Sequence, residues 1–230
     1  MPIGAGRLGY WFIDTSPPLP DPDIPVPQFP NLGFEQGING WVVVADQINW
    51  AGGSTLAGYP TPVLPDPYLY GSSGPAYSVS QSPIYAYTLD TVDKPPLGEV
   101  QSLHLYQGAG SSFAVINPAG ASLWGPAVYS NFYISFNAGD SVAFDWRAIS
   151  GEDAYTIYSY MIERTTGNVL TILRTASPDA YYSSVWATQT TVVPTAGDYK
   201  FVFVTGSWDS TFGRVVQAQM LIDNIRRIPL

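Results

Sequence analysis

Residues able to do acid–base or nucleophilic chemistry are few in this chain. A histidine relay would have to run through His104, the single histidine, set in Leu103-His104-Leu105. No nucleophile elbow stands near it, and a lone histidine on a strand is ordinarily packed or solvated. The glutamates are Glu35, Glu99, Glu152 and Glu163. Their positions give no reason to pair two of them as the acid and base of a glycosidase. The absence of cysteine removes thiolate nucleophiles, disulfides and cysteine-based zinc or iron sites. Gly4-Ala5-Gly6 precedes no helix pattern, so it cradles no phosphate. The expectation is a protein that binds and does not catalyse.

Binding chemistry has more to draw on, with 7 Trp and 16 Tyr. Trp50, Trp124, Trp208 and the Tyr181–Tyr182 pair sit in or beside turn-rich segments. Trp124, Trp208, Tyr181 and Tyr182 are the candidates for exposed rings, either stacked on sugar or engaged in packing or subunit contact. Trp41 and Trp146 lie on or just before apolar strand faces and read as core.

The elements that position these residues are strands. From Asn31 onward, short β-branched and aromatic runs alternate with Gly, Pro, Asn and Asp clusters. Strands are expected at 41–48, 77–88, 100–107, 112–117, 128–136, 141–149, 155–164, 169–175, 185–193, 199–205 and 215–225. In the run from Ser141 to Ala148, Val142, Phe144 and Trp146 share one face, and Asp145 and Arg147 the other. Val216, Ala218, Met220 and Ile222 line up in the same way. Tyr199–Thr205 is apolar on both faces, as in a central strand. Thr166-Gly167-Asn168 reads as a hairpin turn. Residues 49–75, rich in Gly and Pro, read as a long loop and not as interior strand. No segment keeps a helical period. The expected fold is all-β: a two-sheet antiparallel jelly-roll sandwich over 31–230 with an extended Pro-rich N-terminal arm over 1–30.

In the arm, seven prolines between Pro17 and Pro30 imply an extended polyproline strut of roughly 50 Å at full stretch. Ahead of it stands an aromatic knob with Tyr10, Trp11 and Phe12. The knob reads as an anchor on another subunit; an arm folded back on its own domain, or a disordered tail, are the alternatives.

Charge narrows the partners. Only 12% of the 230 residues are charged, about half the usual share, and the formal net charge is -9. Such a chain is repelled by phosphate backbones, so nucleic acid is not an expected partner. No apolar run reaches the roughly 20 residues of a membrane span. The N-terminus shows no basic region followed by an apolar stretch, so no secretory signal is expected.

The two ends of the sandwich carry a resemblance. Asn31-Leu-Gly33-Phe34-Glu35-Gln-Gly37-Ile-Asn-Gly40-Trp41 near its start and Leu221-Ile-Asp223-Asn224-Ile225 near its end resemble the jelly-roll carbohydrate-binding modules attached to polysaccharide-degrading enzymes. The domain is longer than such modules usually are. The resemblance implies sugar binding and a structural calcium ion held by Glu35, Asp223 and backbone carbonyls, a ligand set of hard oxygens. The same two acids otherwise cap turns or pair with Arg226 or Arg227.

A second resemblance covers more of the chain. The runs Gly139–Ala148, Asp153–Tyr160, Thr166-Gly-Asn168, Trp186-Ala-Thr188, Ala196–Asp209 and Ile222–Ile225, with the opening Met1–Tyr10, are similar to structural proteins of marine tailed bacteriophages, cyanophages especially. This implies a virion location as a capsid decoration, tail or fibre component. Its partners would be other virion proteins, a host-surface polysaccharide and further copies of the chain.

Overall fold

The computed structural model describes residues 31–45, 47–50, 77–79, 86–96, 100–107, 122–177, 179–208 and 217–230; of 47–50, 77–79, 122–123 and 208 it describes the backbone alone. The arm, with Tyr10, Trp11 and Phe12, lies outside the described residues, as does the strand expected at 112–117.

Two antiparallel sheets form the sandwich, and among the described residues there is no helix. The larger sheet runs β10 (Val169–Ala176), β9 (Ala154–Glu163), β12 (Gly197–Trp208), β6 (Ser122–Ser130), β2 (Gln47–Trp50) and β3 (Tyr77–Val79). On it, β1 (Trp41–Val44) also pairs with β6, and β7 (Ile134–Phe136) with β12. The smaller sheet runs β11 (Ala187–Val192), β8 (Ser141–Ile149), β13 (Gln219–Ile228), β5 (Ser102–Tyr106) and β4 (Tyr87–Asp90).

The period-2 pattern decides which side chains meet between the sheets. From β8, Val142 and Phe144 enter the core, with Trp146 packed partly against it. Leu103, Leu105, Ala218, Met220 and Ile222 come from the same sheet, facing Tyr155, Ile157, Met161, Tyr199, Phe201 and Phe203 from the other. Strand β12 is apolar on both faces because it lies between β9 and β6 inside the larger sheet. Its second face joins another cluster: Trp124, Ala127, Tyr129, Tyr158, Tyr160, Val202 and Val204.

Asn49 and Trp50, expected in a loop, are instead strand residues: β2 pairs with both β6 and β3. The Gly52-Gly53 step that suggested a loop follows the strand and does not interrupt it.

The opening motif has a structural logic. Asn31 Nδ2 donates to the carbonyls of Gly37 (2.7 Å) and Asn39 (3.2 Å), and its Oδ1 accepts from Gln36 N. Its own carbonyl accepts from Trp41 Nε1 at 2.7 Å. Wrapped around Asn31, the loop drives Phe34 fully into the core, 5.0 Å from the Trp41 ring. Gly37 and Gly40 take φ of 68° and 83°, a region in which a side chain is strained. The last strand closes on this loop, since Ile225 N donates to Leu32 O at 3.1 Å.

Candidate functional site

Tyr181 and Tyr182 stand on the connection between β10 and β11, and that connection is stapled along the end of β8. Ser184 N donates to Ala148 O (2.9 Å), Ser150 N to Tyr182 O (2.7 Å) and Tyr181 N to Gly151 O (2.9 Å). Ser184 Oγ accepts from Ala148 N, and Ser184 O accepts from Arg147 Nε. Beneath, the hydroxyls of Ser150 and Ser177 lie 2.7 Å apart, and both accept from Tyr155 N. The turn is therefore held by backbone and small hydroxyls, and the tyrosine rings are left to face outward.

Tyr181 is 78% exposed and has φ of 57°. A left-handed conformation in a bulky residue costs roughly 1–2 kcal/mol, so the surrounding bonds must over-determine it. Tyr182, 43% exposed, lies 6.2 Å from the buried ring of Tyr155. Burial first, and the Tyr182 hydroxyl second, push the Tyr155 phenol up to about 12, so it stays neutral. Glu152, next in the chain to Gly151, and Asp179, two residues before Tyr181, are both exposed. An exposed aromatic face can stack on an apolar ring face, and exposed carboxylates can accept hydroxyl hydrogens. The tyrosine pair was legible in the sequence; the fixing role of Gly151 and Ser184 was not, because Gly151 acts through its carbonyl and Ser184 through backbone and hydroxyl, each on residues distant in the chain.

The other candidate residues are placed differently. Trp124, expected beside a turn, lies inside β6 and is 4% exposed. Its ring covers Gly206, where an added Cβ would come within 2.8 Å of it and 2.6 Å of Thr156 O. It is a packing residue and presents no platform. Trp208 ends β12, paired with Ser122 and Ala154, and its side chain is outside the description.

Glu35 Oε1 accepts the N–H groups of Val100 (2.7 Å) and Gln101 (3.2 Å), which ties the opening loop to the approach to β5. Asp223 is fully buried, and its Oδ1 accepts from Asn224 N at 2.7 Å. Among the described residues, no group of three His, Asp or Glu side chains gathers to hold a metal. A cation there would need backbone carbonyls in its shell, and the Leu32–Ile225 bond does bring the two segments side by side.

His104 is on the outward face of the smaller sheet. Its Nε2 lies 2.8 Å from Gln219 Oε1 and its Nδ1 3.6 Å from Asp90 Oδ2. Beside it the β4–β5 connection is pinned by Asp93, whose carboxylate accepts from Trp186 Nε1 at 2.9 Å and pairs with Arg147. A cleft of about 480 Å³ opens between the β9–β10 hairpin and the β11–β12 connection. Its acids are engaged, Glu163 by Thr165 and Thr166 and Asp198 by Ser135. Its one aromatic, Tyr199, is buried.

No protein-family model matches the chain, and no curated protein matches it. Solved structures do resemble it. A family 61 carbohydrate-binding module in complex with beta-1,4-galactotriose is 12% identical over 87% of this chain and 96% of that chain, with a TM-score of 0.40. A family 28 module specific for non-crystalline cellulose is 12% identical over 63% and 82%, with a TM-score of 0.36. The K3 adhesin domain of Lys-gingipain from Porphyromonas gingivalis is 14% identical over 85% and 96%, with a TM-score of 0.34. Likenesses this distant name no family.

Proposed function

We propose that this chain is a non-catalytic glycan-binding β-sandwich serving as a bacteriophage virion structural protein, a capsid decoration, tail or fibre component. The observation that carries the glycan reading is Tyr181, held outward in a left-handed conformation by its bond to Gly151. Tyr181 and Tyr182 would stack on a pyranose ring while Glu152 and Asp179 accept its hydroxyls, a pattern suited to a neutral host-surface polysaccharide. The virion setting is supported by the sequence runs from Gly139 to Ile225, and the arm at 1–30 would dock on other particle proteins through Tyr10, Trp11 and Phe12. Glu35 and Asp223 remain the candidate calcium ligands, clamping the opening loop to the last strand.

The test is retention on a panel of immobilised host-surface polysaccharides. Wild type should bind at least one neutral glycan, and Tyr181→Ala should abolish retention with the fold intact. Binding unchanged in Tyr181→Ala, or no binding to any glycan, removes this reading. Deleting 1–30 should prevent incorporation into particles while leaving the sandwich folded.

A further inference from the structure

Edge strands expose unpaired N–H and C=O groups, and sheet proteins usually blunt them with bulges, charge, proline or brevity. Most edges described here are blunted in one of these ways. Strands β1, β3, β4 and β7 have three or four residues each. Strand β10 is broken by a register shift between Thr171 and Leu173. Strand β11 is the exception. Its six residues, Ala-Thr-Gln-Thr-Thr-Val, pair with β8 without any shift. It contains no proline and no charge, and it ends the smaller sheet.

The direction of its backbone groups follows from Val193, whose N–H donates to Asp140 O and whose carbonyl accepts from Gly139 N. Bonded positions alternate in an antiparallel pair. Gln189 and Thr191 therefore bond toward β8, and Thr188, Thr190 and Val192 direct their N–H and C=O away from the sheet. Consistent with this, Thr190 O is reached by the Gln189 side-chain amide at 3.3 Å. Thr188, Thr190 and Val192 are also exposed, Val192 at 58%.

From these features we infer that β11 is the interface with a second copy of this chain, the two strands pairing antiparallel about a two-fold axis at Thr190. Thr190 would pair with Thr190 of the second copy, and Thr188 with its Val192, making about six backbone hydrogen bonds. Charge argues for a like partner. A chain of net charge -9 repels its copy over most of its surface, yet from Ala180 to Gly197 it carries no charged residue. This neutral stretch contains the exposed Val185 and Val192, which supply apolar area along the paired edge. The pairing joins two five-stranded sheets into one of ten strands.

Sedimentation of the full chain up to about 100 μM should show a monomer–dimer equilibrium, since association follows mass action. Thr190→Lys sets two ammonium groups opposite each other at the axis and should weaken the dimer about fivefold or more, with the circular dichroism of wild type. Val192→Lys, off the axis, is the second variant and should act in the same direction. Amide exchange at Thr188, Thr190 and Val192 should slow with rising wild-type concentration, a readout that needs no variant. A wild type that stays monomeric, a dimer indifferent to both folded variants, or exchange at these amides independent of concentration overturns the inference.

Discussion

The backbone N–H of Tyr181 donates to the carbonyl of Gly151 at 2.9 Å, and this bond sets the most exposed tyrosine ring described in the protein at a φ of 57°. The conformation is unfavourable for tyrosine and natural for glycine. Tyr181→Gly should therefore unfold at a temperature equal to or above wild type, the relief of roughly 1–2 kcal/mol offsetting the added freedom of the unfolded chain. The same variant should lose glycan retention. Thermal unfolding beside a binding assay reads both, and a clear drop in stability would show that the ring packs and does not present.

Asp93 joins the β4–β5 connection to Arg147 on β8 and to Trp186 before β11. Its side chain and that of Arg147 are 26% and 27% exposed, so the pair is partly screened. Asp93→Ala should cost about 1–2 kcal/mol in urea unfolding, and Asp93→Asn, which keeps an acceptor for Trp186, should cost less. Equal losses in the two variants would assign the effect to charge alone.

Acid should destabilise the fold in two stages. Burial lowers the His104 pKa below 6.5, and its bond with Gln219 and the carboxylates of Asp90 and Asp93 offset this only in part. A histidine depressed in the folded state binds its proton more readily when unfolded, so stability falls as pH drops below about 6.5. The second stage lies lower. The Asn137 N–H first, then Leu230 N–H and Arg227, hold Asp140 below 3.8; the Thr166 hydroxyl and neighbouring amides hold Glu163 below 4.5. Their stabilisation is present above the unfolded values and is lost as pH falls through the folded ones. His104→Gln should erase the first stage in pH-dependent melting curves and leave the second. A first stage that persists in the variant would exclude His104 as its source.

If Glu35 and Asp223 hold calcium, the melting temperature should rise with added Ca²⁺ and fall with chelator. A ligand at a hundredfold its dissociation constant contributes about 2.7 kcal/mol. Glu35→Gln and Asp223→Asn should each remove the response to calcium, whatever they do to the baseline. Calorimetric titration of the full chain checks the same point directly, and a melting temperature indifferent to chelator rules the clamp out.

Sandwich architecture was readable in the residues because strand periodicity is local: alternation at Val142, Phe144 and Trp146 states which face is apolar before any partner is known. The two-faced run at Tyr199–Thr205 likewise announced a central strand, and Thr166-Gly167-Asn168 a hairpin. Trp124 departs from its local pattern for a physical reason. Its Gly-Pro neighbours suggest a turn, yet β6 runs through them, with Gly206 opposite leaving room for the indole. Burial depends on what the facing strand lacks, and no local pattern encodes that.

Residue types and their alternation settle the class of fold, the single histidine and lack of cysteine, the neutral stretch from Ala180 to Gly197 and the tyrosine pair within it. Tertiary structure alone decided that Gly151 would hold Tyr181 outward, that Asp93 would reach Trp186, and that β11 would end a sheet. Each of these depends on contacts between residues distant in the chain, where strand order and register choose the partner. Side-chain alternation is written residue by residue, but the neighbour across a sheet is chosen by the packing of the whole.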